Sequence, residues 1–155
     1  MNQFTSIAII THLAGIFNIL PVQYKDSMRI IGIDYGTKRV GVAVSDEAAQ
    51  FALPFMTLKA SAKLADEIAG IAAENAAKDV VLGESRDYNM APNKIMPAIL
   101  ELEKELKERG LKTHFQPEFM TSVQAERLQG KNDKSDSSAA ALILQSYLDT
   151  LQSRP

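Results

Sequence analysis

The sequence predicts an α/β domain built on a mixed sheet, with an antiparallel three-strand meander continued by parallel strands and flanked by helices. Two observations carry this. Three short apolar stretches follow one another between residues 29 and 58 with only turns between them. Beyond residue 62, segments with helical spacing alternate with short β-type runs. Hairpins followed by strand–helix alternation give a sheet of mixed direction with helices on its faces.

Arg29 to Asp34 reads as a buried strand and Val40 to Ser45 as its hairpin partner. Gly36 is expected to supply positive φ in the turn between them. Phe51 to Leu58 is the third strand, and Pro54 places it at an edge or makes it begin late. Ala62 to Ala77 is an amphipathic helix, with Leu64, Ile68, Ile71 and Ala72 on one face. Asp79 to Gly83 is a short strand, and 84–93 is a polar loop. A second helix runs from about Pro92 to Arg109, or from nearer Lys94 so that Pro97 falls in its first turn. Its apolar face is Ile95, Ile99, Leu102 and Leu106, and Gly110 is its C-terminal cap. Lys112 to Gln116 is a strand, Ser122 to Leu128 a short helix, and 130–135 a basic loop. Ser135 to Leu151 is the last helix, with Ala139, Leu142, Ile143, Ser146, Tyr147 and Leu151 available for packing.

A chain of 155 residues without internal repeats suits one domain with a sizeable core. We expect that domain to span 28–151, with 152–155 a tail and 1–27 either a dispensable extension or a helix that packs on the domain or binds a partner. Ile7 to Leu20 is apolar but too short for a membrane span of about 20 residues. No Lys or Arg precedes it, so it lacks the basic start of a signal peptide. The chain has no cysteine, which excludes disulfides and thiolate metal sites and makes a reducing cytoplasm the default. With two histidines, a histidine-rich zinc site is also disfavoured. Any metal would be held by oxygen, which favours magnesium, manganese or calcium. The net charge of −2 gives no global basic signature, so nucleic-acid binding would need a local patch.

Three acids sit where ligands gather in an α/β sheet, outside strand ends. Asp34 ends the first strand, Glu118 follows Lys112–Gln116, and Asp136 opens the last helix. Alone, each has an ordinary reading: a turn former, a solvated loop acid and a helix N-terminal charge. Together they would repel one another unless a cation neutralised them, which implies a divalent metal. Glu84, directly after a strand, is a candidate fourth ligand or a plain loop acid. Lys38, Arg39, Arg86, Arg127, Lys131 and Lys134 lie near these acids in sequence. They are either solvated charges or contacts to nucleic-acid phosphates.

The stretch Gly32-Ile33-Asp34-Tyr35-Gly36-Thr37-Lys38-Arg39-Val40-Gly41-Val42-Ala43-Val44-Ser45-Asp46 resembles the opening motif of the YqgF/RuvX family. These are RNase H-like proteins described as Holliday junction resolvases and as pre-16S rRNA nucleases. Two later blocks agree in order. Glu118 to Glu126 resembles the family's Asp-Glu-Arg-x-Thr-Thr-x-x-Ala. Lys134 to Leu148 resembles its Lys-x-Asp-x-x-Ala-Ala-x-x-Ile-Leu-Gln-x-Tyr-Leu helix. The similarity covers roughly residues 28–151. It implies an RNase H-like sheet and a catalytic, metal-binding triad of Asp34, Glu118 and Asp136. There are two departures: Pro117-Glu118-Phe119 replaces Asp-Glu-Arg, and Gly83-Glu84-Ser85 replaces Gly-Leu-Pro.

The resemblance implies a nuclease that uses Mg²⁺ or Mn²⁺ to hydrolyse phosphodiester bonds in 5′-end maturation of 16S rRNA. Holliday junction resolution is the alternative activity. The partner is then structured RNA (precursor 16S rRNA) or branched DNA, and the protein a cytoplasmic monomer or homodimer. A non-catalytic nucleic-acid or ribosome-associated module is a separate reading, opened by the missing arginine. Phosphotransfer is another, because Asp34-Tyr35-Gly36-Thr37 also resembles the first phosphate loop of actin-like kinases. Those use two such domains, and this chain has room for one.

Overall fold

A computed structural model describes residues 28–84, 94–117 and 133–153. Five strands form one sheet: β1 (Ile30–Tyr35), β2 (Arg39–Ser45), β3 (Ala52–Lys59), β4 (Asp79–Glu84) and β5 (Lys112–Pro117). Their order is β3-β2-β1-β4-β5. β1, β2 and β3 pair antiparallel. β4 and β5 add in parallel to β1. Among the described residues three helices flank the sheet: α1 (Leu64–Glu74), α2 (Met96–Glu108) and α3 (Asp133–Gln152). The expected mixed sheet is therefore the observed one. The expectations for 1–27, 85–93 and the helix Ser122–Leu128 lie outside the described residues.

Alternation along the strands divides the sheet into two faces. Ile31, Ile33, Val40, Val42, Val80 and Leu82 pack against α1 and α2. Ile30, Ala43 and Val81 pack against α3. Each large apolar side chain buried this way contributes about 1.5–3 kcal/mol. The α1 stripe Leu64, Ile68, Ile71 and Ala72 is buried as the spacing predicts. Helix α2 begins at Met96, so Pro97 falls in the first turn, where its missing N–H costs nothing.

Both α1 and α2 end in the same six-residue geometry. Gly110 has φ +82°, its N–H donates to Lys107 O, and Leu111 N–H donates to Leu106 O. Those two bonds satisfy carbonyls that the helix end would otherwise leave open. In α1 the corresponding position is Ala76, at φ 52°. An alanine there carries a steric cost that glycine does not.

Two sequence expectations need correction. Gly36 does not adopt positive φ; Gly110 is the only described glycine that does. Gly36 is required for space, because a Cβ would sit 2.5 Å from the Arg39 carbonyl oxygen. Gly36 N–H donates to that same oxygen at 2.9 Å and closes the hairpin. In α3, Leu142 and Ser146 face outward; the buried positions include Ala140, Ile143, Leu144 and Leu148. The stripe is set by where the helix touches the sheet most closely. A Cβ on Gly32 would meet Leu144 Cβ at 2.6 Å and Ala140 O at 2.9 Å. Pro54 is on an edge strand, as expected, and the β2–β3 register slips beside it. Val42 opposes Met56 while Ala43 opposes Pro54, so Phe55 is the extra residue of a bulge.

Candidate active site

Asp34 lies near the C-terminal end of β1, opposite Gly41 of β2. Gly32, two residues earlier, faces α3, so Asp34 projects to the α3 side as well. Tyr35, the next residue, packs on the other face. Asp34 is half-buried.

Asp136 reaches the same place from the first turn of α3. The backbone of Asp136 crosses directly over Gly41: a Cβ there would fall far inside contact with the Asp136 carbonyl. Gly41 is Asp34's partner across the strands, with Cα atoms about 5 Å apart in such pairs. One glycine thus lets the helix start rest beside the strand acid. The sequence contains this signal as small residues on alternate positions, Gly41 and Ala43 on β2 with Gly32 on β1.

Arg39 shares the α3 face with Gly41 and Ala43 by alternation. Its Nε lies 2.9 Å from Asp136 Oδ2. That oxygen is buried and accepts no aligned hydrogen bond, so the contact is one of charge more than of hydrogen-bond geometry. The two side chains are 40% and 25% exposed, which places the pair at the rim of the sheet, not in its core. The sequence placed Arg39 among possible phosphate contacts and did not identify Asp136 as its partner.

The remaining candidates separate. Glu84 ends β4, and alternation carries it to the face of Val80 and Leu82, away from Asp34. Among the described residues no group of three or more His, Asp or Glu side chains is arranged to hold a metal ion. Asp34, Glu84 and Asp136 are all described, so they do not form such a group by themselves. Lys38 is exposed in the hairpin turn. Lys134 lies in the first turn of α3. Glu118, Arg86, Arg127 and Lys131 lie outside the described residues. β5 runs parallel to β4 and β1, and its last residue Pro117 is in register with Glu84. That end of β5 is about 10 Å from the end of β1 at ordinary strand spacing.

The second acid of the opening motif has a different task. Asp46 Oδ1 accepts the N–H of Gln50 at 2.7 Å and of Phe51 at 3.0 Å. The Phe51 and Gln50 amides hold its carboxyl below the usual carboxylate range. It closes the β2–β3 turn at the end of the sheet opposite Asp34.

A sheet of this order, with an acid ending its central strand and another opening the helix laid across it, is RNase H-like. RuvC of Thermus thermophilus in complex with a Holliday junction superposes with a TM-score of 0.51 at 14% identity, covering 81% of this chain and 96% of that one. The sequence narrows the class. A family model described as "RuvX: Holliday junction resolvase" matches residues 28–150. A Lactococcus lactis subsp. cremoris protein named "Putative pre-16S rRNA nuclease" is 34% identical over 134 residues, 78% of this chain and 94% of its own. A Streptococcus mutans protein of the same name is 35% identical over 139 residues, 80% of this chain and 99% of its own. The chain belongs to the RuvX family.

Proposed function

We propose that this protein is a metal-dependent endonuclease that trims precursor 16S rRNA at its 5′ end. The observation that carries the reading is that Gly41 is both the strand partner of Asp34 and the seat of the Asp136 backbone. Two acids from distant parts of the chain converge on one rim of the sheet, in a family whose relatives bear a nuclease name. Glu118, one residue beyond the end of β5, is the third acid of the proposed set. Glu84 is left out of it, because alternation turns it to the other face.

The donor set is all carboxylate, which suits a hard divalent cation such as Mg²⁺ or Mn²⁺. A quarter of the Asp136 side chain is exposed at this rim, where its backbone rests on Gly41, the strand partner of Asp34, so a cation has access to it. Asp34, Asp136 and Glu118 would hold the ion. Bound there, it supplies activation of a water and charge stabilisation at the scissile phosphate. The chain's own residues fix the geometry. β1 and α3 present the two acids on rigid elements, and Gly41 sets their separation. Lys38, exposed at the hairpin turn, is placed to meet nucleic-acid phosphates. Residues 28–151 form the catalytic unit. A ribosomal substrate places the protein in the cytoplasm.

Holliday junction resolution is the second reading, favoured by the description of the matching family model. It requires two active sites related by symmetry, hence a dimer. Cleavage of precursor 16S rRNA and of a four-way junction by one preparation, with and without Mn²⁺, separates the two. Selective cleavage of the RNA supports maturation; paired symmetric cuts in the junction overturn it.

A further inference from the structure

We infer that Arg39 is a positioning residue for Asp136 and not a substrate contact, an inference that rests on the metal-site reading above. Three observations support it. Arg39 Nε stands 2.9 Å from Asp136 Oδ2. That oxygen is buried, while a quarter of the Asp136 side chain is exposed, so the exposure belongs to the rest of the side chain. The backbone of Asp136 is pressed onto Gly41, which leaves the side chain little freedom to shift as a whole. Arg39 therefore holds the inner oxygen and leaves Oδ1 to face a ligand.

Arg39 also has the means to stay in place. It begins β2, its carbonyl accepts the Gly36 N–H, and it pairs with Lys59 across the sheet. A guanidinium is always charged and weakly hydrated, which suits a half-buried pairing better than an ammonium does. Outer partners of metal-binding carboxylates set their orientation, and their loss typically weakens metal binding about 10–100-fold.

The test is Mn²⁺ binding by calorimetry to the full-length protein, without nucleic acid, for wild type, Arg39→Met and Arg39→Lys. Circular dichroism checks folding. Arg39→Met is expected to bind Mn²⁺ about 10–100-fold more weakly than wild type. Arg39→Lys, which keeps the charge without the planar fork, falls between them. Unchanged Mn²⁺ affinity in Arg39→Met, with a nucleic-acid salt slope smaller by about one, is the signature of a phosphate contact and overturns the inference. Tighter Mn²⁺ binding also overturns it, because Arg39 would then compete with the ion. If Arg39→Met fails to fold, wild-type affinity in Arg39→Lys overturns it. Absence of Mn²⁺ binding in wild type removes the metal site itself, and the inference with it. That outcome is distinct from a variant that merely matches a binding wild type.

Discussion

Gly41 decides more than any charged residue in the site. It is the point where α3 begins its crossing of the sheet, and a methyl group there would strike the Asp136 carbonyl. The clash is with backbone, so only movement of the helix start relieves it. Gly41→Ala should cost about 1–3 kcal/mol or more, as forced overpacking does. It should also part Asp136 from Asp34. Gly70→Ala is the control: Gly70 is an exposed residue of α1 with nothing within 4 Å of a Cβ. There alanine should stabilise by about 0.5–1 kcal/mol. Urea unfolding of the two variants checks both signs. A neutral Gly41→Ala would show that α3 does not need its close seat. The sequence displayed Gly41 plainly but not its purpose. A glycine in a strand signals a bulge, a bend or a close approach, and only the position of Asp136 selects the last.

Among the elements, the β1–β2 hairpin and the helices α1 and α2 were legible because periodicity and caps agree there. Ile31, Ile33, Val40 and Val42 alternate, and Gly110 stops α2 where a cap was expected. The α3 stripe was harder. Its sequence offers Ala139, Ala140, Ala141, Leu142, Ile143 and Leu144 in an unbroken run. Periodicity cannot choose a face from six consecutive apolar residues. The glycines on the sheet choose it, and that is tertiary information. The β2–β3 turn gives a pH test at this scale. The Asp46 carboxyl is held below its ordinary value by the Phe51 and Gln50 amides. A depressed folded-state value means stability present above the unfolded value near 3.8 and lost as pH falls through the folded one. Asp46→Asn keeps an acceptor oxygen but not the charge. Its stability deficit relative to wild type should be constant from pH 7 to 5 and shrink below pH 4. A deficit independent of pH would remove the charge from the account.

At the scale of the molecule, two core clusters on the faces of one sheet are built from residues between Ile30 and Leu148. The first strand is tied at its start by Met28 N–H to Glu47 O and by Arg29 to Glu47. We predict that a protein starting at Met28 keeps its melting temperature within a few degrees. A large fall would contradict this. Among the described residues, no helix is long and apolar enough to cross a membrane. The overall fold was readable because each level agreed with the next. The approach of the Asp136 backbone to Gly41, the strand partner of Asp34, was not, since strand order and the seat of α3 decide it.

The central claim is that Asp34 and Asp136 form a carboxylate metal centre that cuts nucleic acid. The most direct measurement is cleavage of precursor 16S rRNA by wild type and Asp34→Asn, with and without Mn²⁺ or Mg²⁺. Asp34→Asn changes no volume and removes one of two neighbouring negative charges, so the variant should fold as wild type does. The account predicts cleavage only with metal, and a loss in Asp34→Asn beyond the roughly 10–100-fold typical of outer-shell changes. Cleavage without metal, or a folded Asp34→Asn that cuts as wild type does, would contradict it.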